Sequence, residues 1–306
     1  MDTASHAAQN QFQSRDWIVS PHENCSRLDR FLRSHLPALS RRAILALITA
    51  GQVSLNHRPC KKSSLVHTGD QVHAQVQLQL SPNPSLPMRV VYESQSVLGL
   101  DKPPGIPSIA LSFTDTHTVA NFLLAHYPET ARASATPLEA GVVHRLDTPT
   151  SGLLLAARTA AAYTALRAQF SRMQVKKDYL AVACGTLRLN GRMRFFLAPE
   201  GKRGQRMRLL SAEQPQKGQE AQSTYTCLEA NAHTTLLRIR IHTGVRHQIR
   251  AHLAALGHPL VGDTHYGAPA GAKRLALHAE ALQFQHPETG ENVQLNSPVA
   301  DNFFAR

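Results

Sequence analysis

The chain has 306 residues, 42% of them hydrophobic, with 33 Lys and Arg against 21 Asp and Glu, a formal net charge of +12 and a pI near 10.0. That length accommodates a small domain plus one of about 200 residues, and the apolar fraction suits a globular chain, excluding a disordered or fibrous one. The basic excess attracts polyanions, of which nucleic acid is the commonest in a cytosol, though charge alone does not separate RNA from DNA or an anionic membrane surface.

Residues 1 to 14 are polar and unpatterned, so a disordered tail is expected there. From Arg27, the residues Leu28, Phe31, Leu32 and Leu36 fall on one helical face and Arg27, Arg30 and Arg33 on another, which predicts a basic amphipathic helix. Ser40 is placed to cap a second helix, Arg41-Arg42-Ala43-Ile44-Leu45-Ala46-Leu47-Ile48, and Gly51 to stop it. Residues 53–56 and 71–78 read as short strands with Gly69-Asp70 as a turn, and Lys61-Lys62-Ser63 adds charge between them. Residues 81–88, opening Ser81-Pro82-Asn83-Pro84-Ser85-Leu86-Pro87, hold too much proline for a regular element and read as a stiff, extended linker.

Beyond it, β-branched Val142-Val143 and the run Leu153-Leu154-Leu155 predict two strands, and the connection between them carries His144-Arg145-Leu146-Asp147. Pro149 and Gly152 restrict the backbone around Thr150, so Asp147 must be paired or solvated. The bland reading of such an acid is an Asx-turn that bonds only nearby amides. Tyr179 follows Lys176 and Lys177 and opens the strand-like run Leu180-Ala181-Val182-Ala183. A basic stretch, Arg192 to Phe196 and Lys202 to Arg208, interleaves arginine with Phe and Met, as a nucleic-acid groove would, yet Pro199, Gly201 and Gly204 equally suggest an exposed hairpin. Leu237, Ile239 and Ile241 alternate with Arg238, Arg240 and His242, predicting a strand with one core face and one basic face, consistent with a sheet lining a cleft. Ile249, Leu253 and Leu256 recur at helical spacing before Gly257 and Pro259, which puts Arg246 and Arg250 one turn apart on one face.

These segments resemble the RluA-type pseudouridine synthases. His144-Arg145-Leu146-Asp147 with Thr150-Ser151-Gly152 is similar to the family's signature. Leu98 to Gly105 resembles its first motif, Lys177-Asp178-Tyr179 its Lys-x-Tyr element, and Thr243 to His252 its last motif, followed by Gly262-Asp263 and Tyr266-Gly267. The likeness spans residues 89 to 300 in the family's order. It implies that Asp147 is the catalytic carboxylate acting at the sugar of a flipped uridine, whose glycosidic bond breaks before the uracil turns and rejoins through a ring carbon. Whether the acid attacks the ribose or abstracts a sugar proton stays open. Tyr179 would wall the base, Arg250 would supply the cation an ionised Asp needs, and Arg145 would hold the RNA open. Lys177 is assigned to RNA contact and His144 to a structural, hydrogen-bonded role. No cofactor and no metal are implied. Members of the family often carry Arg directly after Thr-Gly, where this chain has Val245, so Arg246 is left between phosphate contact and solvent.

Residues 16 to 80 resemble the α-L RNA-binding domain that many such enzymes carry, with His57 where Gly is usual after Asn. Arg27, Arg30, Arg41, Arg42, Lys61 and Lys62 are its candidate RNA-binding residues. The fold expected is α+β: a disordered tail to 14, an α-L domain over 15–80, the linker over 81–88, and over 89–306 a catalytic domain built on a mixed, mainly antiparallel sheet flanked by helices. The expected substrate is a uridine of large-subunit ribosomal RNA, with transfer RNA as the alternative and a non-catalytic ribosome-assembly protein as the reading from another class. A phosphohydrolase using Asp147 would want a second carboxylate two residues on, where Pro149 stands. Cys25, Cys60, Cys184 and Cys227 have no zinc spacing, and His247 and His252 miss the i, i+4 spacing of helical ligands. With no apolar run of membrane-helix length and no apolar signal core, a cytoplasmic monomer with no membrane partner is expected.

Overall fold

The computed structural model describes residues 12–187, 189–201, 204–211, 214–299 and 303. They form two compact units: residues up to Asn83 with Ala110–Thr116, and Pro84–Ile109 with the chain from His117 onward. The division falls inside the proline-rich segment, but Ala110–Thr116 belongs to the first unit, whereas the sequence had placed it in the second domain.

The first unit contains β1 (Phe12–Ile18), β2 (Ser26–Arg27), α1 (Leu28–His35), α2 (Arg41–Thr49), β3 (Val53–Leu55), β4 (Arg58–Pro59), β5 (Leu65–Val66) and β6 (Gln71–Gln77). Its main sheet has the order β1-β6-β3-β4, and β2 pairs with β5. The expected tail was too long: Phe12, Gln13 and Ser14 already pair with Gln77, Val76 and Gln75, and residues 1–11 lie outside the described residues. The helical stripe behaves as its spacing predicts, since Leu28, Phe31, Leu32 and Leu36 are all buried while Arg27, Arg30 and Arg33 are exposed. Ser40 caps α2 through its hydroxyl, which accepts from the Ala43 amide at 3.2 Å. The β3–β4 turn puts Asn56 and His57 at φ 49° and 62°, so His57 takes the left-handed conformation that hairpin turns of this kind usually give to glycine.

The second unit contains β7 (Arg89–Glu93), β8 (Val97–Lys102), α3 (Val119–His126), β9 (Ser151–Ala157), α4 (Ala160–Ser171), β10 (Lys176–Cys184), β11 (Gly191–Glu200), β12 (Arg206–Leu209), β13 (Gln219–Ala230), β14 (Thr234–Ile241), α5 (Gln248–Ala255), β15 (Leu277–Gln285) and β16 (Asn292–Asn296). Its ten strands form one sheet in the order β12-β11-β13-β14-β10-β15-β9-β8-β7, with β16 added to β15. Every pairing is antiparallel except β15 with β9, where His278 and Ala279 run parallel to Ser151 and Gly152. The α+β class and the mixed, mostly antiparallel sheet are therefore as expected. Along one edge, β15 pairs with β10; its other edge is shared between β9 and β16.

Two strand expectations are corrected. Val142-Val143 is not a strand but a single bridge, Val142 to Ala156. The ladder stops because side chains take its next bonds: the Leu155 amide donates to His144 Nε2 at 3.0 Å, and Arg167 Nη1 donates to the Val143 carbonyl at 3.0 Å. The basic face of β14 is not an open run of positive charge. Arg238 and Arg240 make paired bonds to Glu280 (2.8 and 2.8 Å) and Asp178 (2.7 and 2.7 Å), and the register sets Arg240 opposite Asp178 while Ile239 lies opposite Tyr179 on the reverse face.

Candidate active site

Asp147 lies in the loop between the Val142 bridge and β9, and that loop is pinned on both sides, by Ser108 before Asp147 and by Lys102 and Gly105 of the first sequence motif after it. The Ser108 hydroxyl donates to the Leu146 carbonyl and accepts the Leu146 amide, each at 3.0 Å. Lys102, with no exposed surface, donates its ammonium protons to the carbonyls of Pro103 (2.9 Å), Ile106 (2.8 Å) and Thr148 (3.1 Å), and the Gly105 amide donates to Thr148 as well. Burial drags the Lys102 pKa down to about 7, with Asp147 opposing and Arg274 reinforcing, while three carbonyl acceptors match the three protons of the charged form. A turn closed by the Thr150 amide on the Asp147 carbonyl at 3.0 Å then leads into β9. Gly152 is required there: its φ is +107°, and a Cβ would stand 2.3 Å from the Ala279 carbonyl oxygen of β15.

Arg250 reaches Asp147 from α5, which lies against β11 and β12. Its Nη1 donates to Asp147 Oδ2 at 3.1 Å, while Nε and Nη2 donate to the two oxygens of Asp263 at 2.7 and 2.9 Å. The Arg250 side chain is 7% exposed, Asp263 1% and Asp147 21%, so one buried guanidinium spans two carboxylates and only Asp147 meets solvent. Burial disfavours the charged Arg250, but the bonds and charge of Asp263, then of Asp147, more than offset it and hold its pKa above the ordinary value. Under the guanidinium lies Tyr266, its ring centroid 5.2 Å away. The Tyr266 hydroxyl accepts from the Met207 amide at 2.8 Å and meets His247 Nδ1 at 3.0 Å. His247 Nε2 is 3.8 Å from Asp147 Oδ2. Both neighbours thus crowd Oδ2, and Oδ1 of Asp147 makes no hydrogen bond among the described residues.

Tyr179 sits on β10, 7% exposed, with no hydrogen bond from its hydroxyl among the described residues. Burial raises its pKa, and the charge of Asp147 nearby raises it further. Asp147, Tyr179 and Arg250 are therefore gathered at one place. Lys177, assigned from sequence to RNA contact, is instead buried, its Nζ donating to the Thr243 carbonyl at 3.1 Å and lying 5.9 Å from the Phe170 ring. It braces the loop before α5. Arg246 is also spoken for: Nη2 donates to the carbonyls of Gly204 and Arg206 and touches Met207 Sδ, tying α5 to the β11–β12 turn. Val245, in the position where Arg is common, packs against the apolar cluster of Leu197, Met207, Ala221 and Ala251. Lys202 and Arg203 of the basic stretch lie outside the described residues. Arg145 is exposed and has no hydrogen bond or ion pair among the described residues.

His144 is partly buried, its ring stacked on Phe170 and its Nε2 accepting the Leu155 amide, and desolvation pushes its pKa down to about 3. On the first unit, Arg27, Arg30, Arg41, Arg42, Lys61 and Lys62 are all exposed. Buried Asp29 ties three of them together: Arg27 bonds it at 3.0 Å, Arg41 lies 3.9 Å away, and the Asp29 amide donates to the Lys62 carbonyl. Sequence reasoning missed Asp263, Tyr266 and His247. All three lie in or just after the last sequence motif, which includes them without giving them a role; for Asp263 a further signal existed, since a buried arginine facing a single partly exposed Asp is short of counter-charge.

The fold, the gathered acid, tyrosine and arginine, and the basic N-terminal unit define an RNA-modifying enzyme. Residues 96–255 match the RNA pseudouridylate synthase family and residues 26–72 the S4 domain, and the chain belongs to the pseudouridine synthase family, in its RluA branch. Among relatives, it is 36% identical to ribosomal large subunit pseudouridine synthase D of Xanthomonas campestris pv. campestris, over 94% of this chain and 90% of that one. To the protein of the same name from Vibrio parahaemolyticus it is 33% identical over 91% and 89%. The structure of human RNA pseudouridylate synthase domain containing 1 superposes with a TM-score of 0.57 at 25% identity, covering 72% of this chain and 86% of that one. Among the described residues, no helix is long and apolar enough to cross a membrane.

Proposed function

We propose that this pseudouridine synthase modifies uridine in large-subunit ribosomal RNA and that Asp147 is the carboxylate that acts at the ribose. One observation carries the assignment: a partly exposed Asp147 has Oδ2 held by Arg250 and Oδ1 unengaged, with buried Tyr179 close by. Isomerisation breaks the bond from C1′ of the ribose to N1 of uracil and forms one from C1′ to C5; C5 loses its hydrogen and N1 gains one, so nothing is consumed. Oδ1 is free to attack the sugar or to take its proton, and Arg250 is the cation paired with the carboxylate through Oδ2 in either case. Tyr179 offers a flat wall to a base that has left its stack, offsetting part of a cost of a few kcal/mol. The exposed Arg27, Arg30, Arg41, Arg42, Lys61 and Lys62 hold RNA phosphates, and Arg145 holds the strand open at the site. The names of the relatives support ribosomal RNA as the substrate and, with it, a cytoplasmic place of work. The enzyme acts as a monomer, which a light-scattering mass checks.

The test uses ribosomal and transfer RNA tritiated at uracil C5. The wild type releases label from large-subunit RNA, and neither Asp147→Ala nor Asp147→Asn does. Release by both variants removes Asp147 from the reaction. Release from transfer RNA alone reassigns the substrate, and tight, salt-sensitive binding without any release favours a non-catalytic RNA-binding role.

A further inference from the structure

His247 faces the acid at the centre of the site, yet the reaction above gives it no part. Its backbone adopts φ 53° and ψ 21° at the start of α5, in the left-handed region that penalises a residue with a Cβ. A helix-capping residue is normally extended. The unusual backbone sets the ring between Asp147 and Tyr266, with Nε2 3.8 Å from Asp147 Oδ2, Nδ1 3.0 Å from the Tyr266 hydroxyl, and the two rings edge to face. The Tyr266 oxygen already accepts the Met207 amide proton at 2.8 Å, which leaves its own proton for His247 Nδ1. An imidazole that accepts at Nδ1 and is neutral carries its proton on Nε2.

We propose that His247 is a positioning residue for Asp147, locked by the Tyr266 hydroxyl in the tautomer that donates from Nε2 to Asp147 Oδ2. With Arg250 on the same oxygen, it fixes which oxygen of the carboxylate is left to face the ribose. The contact shortens to hydrogen-bond length in the substrate complex, as catalytic contacts commonly do. The charged and titratable groups around the ring are Asp147 from its loop, Arg246 from the loop before α5, Arg250 from α5, and Asp263 and Tyr266 from the segment after it. Burial favours the neutral ring, Asp147 opposes, Arg250 and Arg246 reinforce, and Asp263 opposes. Because Met207 belongs to β12, the β11–β12 hairpin takes part in setting the tautomer. The assignment of a role in turnover rests on the function proposed for Asp147.

Two measurements on the full chain test it. In long-range nitrogen–proton spectra, His247 shows a protonated Nε2 and an unprotonated Nδ1, and Tyr266→Phe, which keeps the ring beneath Arg250, loses that pattern. In kinetics, His247→Gly relieves the backbone and raises the melting temperature, while kcat falls about 10- to 100-fold, the loss of one hydrogen bond to a charged group, and the RNA Kd stays unchanged. His247→Gln, whose amide nitrogen reaches the place of Nε2, recovers most of that loss; His247→Asn does not. A wild-type ring protonated on Nδ1, or a fully active His247→Gly, overturns the inference. Wild-type enzyme without turnover on any RNA overturns the functional reading and the inference together; turnover by the wild type with an equally active His247→Gly overturns the inference alone.

Discussion

Asp263 bears the larger share of Arg250's neutralisation, and removing it separates what the ion pair does for stability from what it does for the reaction. In Asp263→Ala, the guanidinium loses bonds of 2.7 and 2.9 Å and keeps only the 3.1 Å bond to Asp147, with its side chain still 7% exposed. Stranding a buried charge costs about 3–5 kcal/mol, and the surviving partner puts this case near the lower end, about 3 kcal/mol. For a unit of this size, about 3 kcal/mol lowers the melting temperature by about 6–12 °C. The freed nitrogens of Arg250 turn onto Asp147, engage the oxygen that should face the ribose, and lower kcat about tenfold or more. The informative companion is the double variant Arg250→Met with Asp263→Leu, which removes both charges and fills the space with apolar atoms. Its thermal stability returns to within about 1 kcal/mol of the wild type, while its tritium release, without Arg250, is lost. Scanning calorimetry, followed by label release at matched RNA concentration, reads both effects. An Asp263→Ala protein melting within about 2 °C of the wild type would refute the claim that this carboxylate is the main counter-charge of Arg250.

Three further outcomes are expected. His144 and His252 have pKa values pushed by burial down to about 3 and about 4, from an unfolded value near 6.5; the unfolded chain takes up protons that the folded chain refuses, so the stability present above pH 6.5 falls as pH drops toward 4, by up to about 1.4 kcal/mol per residue per pH unit. Because neither ring nitrogen of His252 has a hydrogen-bond partner among the described residues, His252→Leu melts no lower than the wild type at pH 7 and clearly higher at pH 5; equal losses in both proteins on acidification would refute this. Ser108→Ala leaves the Leu146 amide and carbonyl without the hydroxyl that bonds both, costing about 1–3 kcal/mol in urea denaturation, and lowers kcat with RNA affinity unchanged, since Asp147 is the next residue. Arg30→Ala and Lys62→Ala each weaken binding to any RNA and reduce the slope of log affinity against log salt by about one for each phosphate no longer neutralised; an unaltered slope would place RNA elsewhere on the protein.

Most of the first unit could be read from the order of its residues because its signals are local. The spacing of Leu28, Phe31, Leu32 and Leu36, the Ser40 cap and the Gly51 stop each act within one or two turns. The alternation of Leu237, Ile239 and Ile241 gave the core face of β14 for the same reason, but it did not say what the other face meets: Arg238 and Arg240 look like a nucleic-acid surface until Glu280 and Asp178, from two other strands, are placed opposite them. Val142 and Val143 carry strand propensity that His144 and Arg167 override by taking the backbone bonds themselves. In the site, Asp147, Tyr179 and Arg250 were reached through motif likeness, whereas Tyr266 and His247 acquire their meaning only from the fold. Lys177 was misassigned because a lysine beside a tyrosine at a strand start looks exposed, and only the sheet shows that its ammonium turns inward to Thr243.

The short parallel contact between β9 and β15 also has a bearing on how the enzyme comes into being. It splices the strands that carry the Asp147 loop to those that carry Tyr179, and it joins Ser151 to His278, 127 residues later. Closing so long a stretch of chain is slow and comes late in folding. A ribosome delivers the basic N-terminal unit well before β15, so a growing chain presents that basic surface before the parallel contact can complete the centre. Chemistry is thereby reserved for finished molecules, and a truncation that spares every catalytic side chain but removes β15 would leave a protein that binds RNA and changes nothing in it.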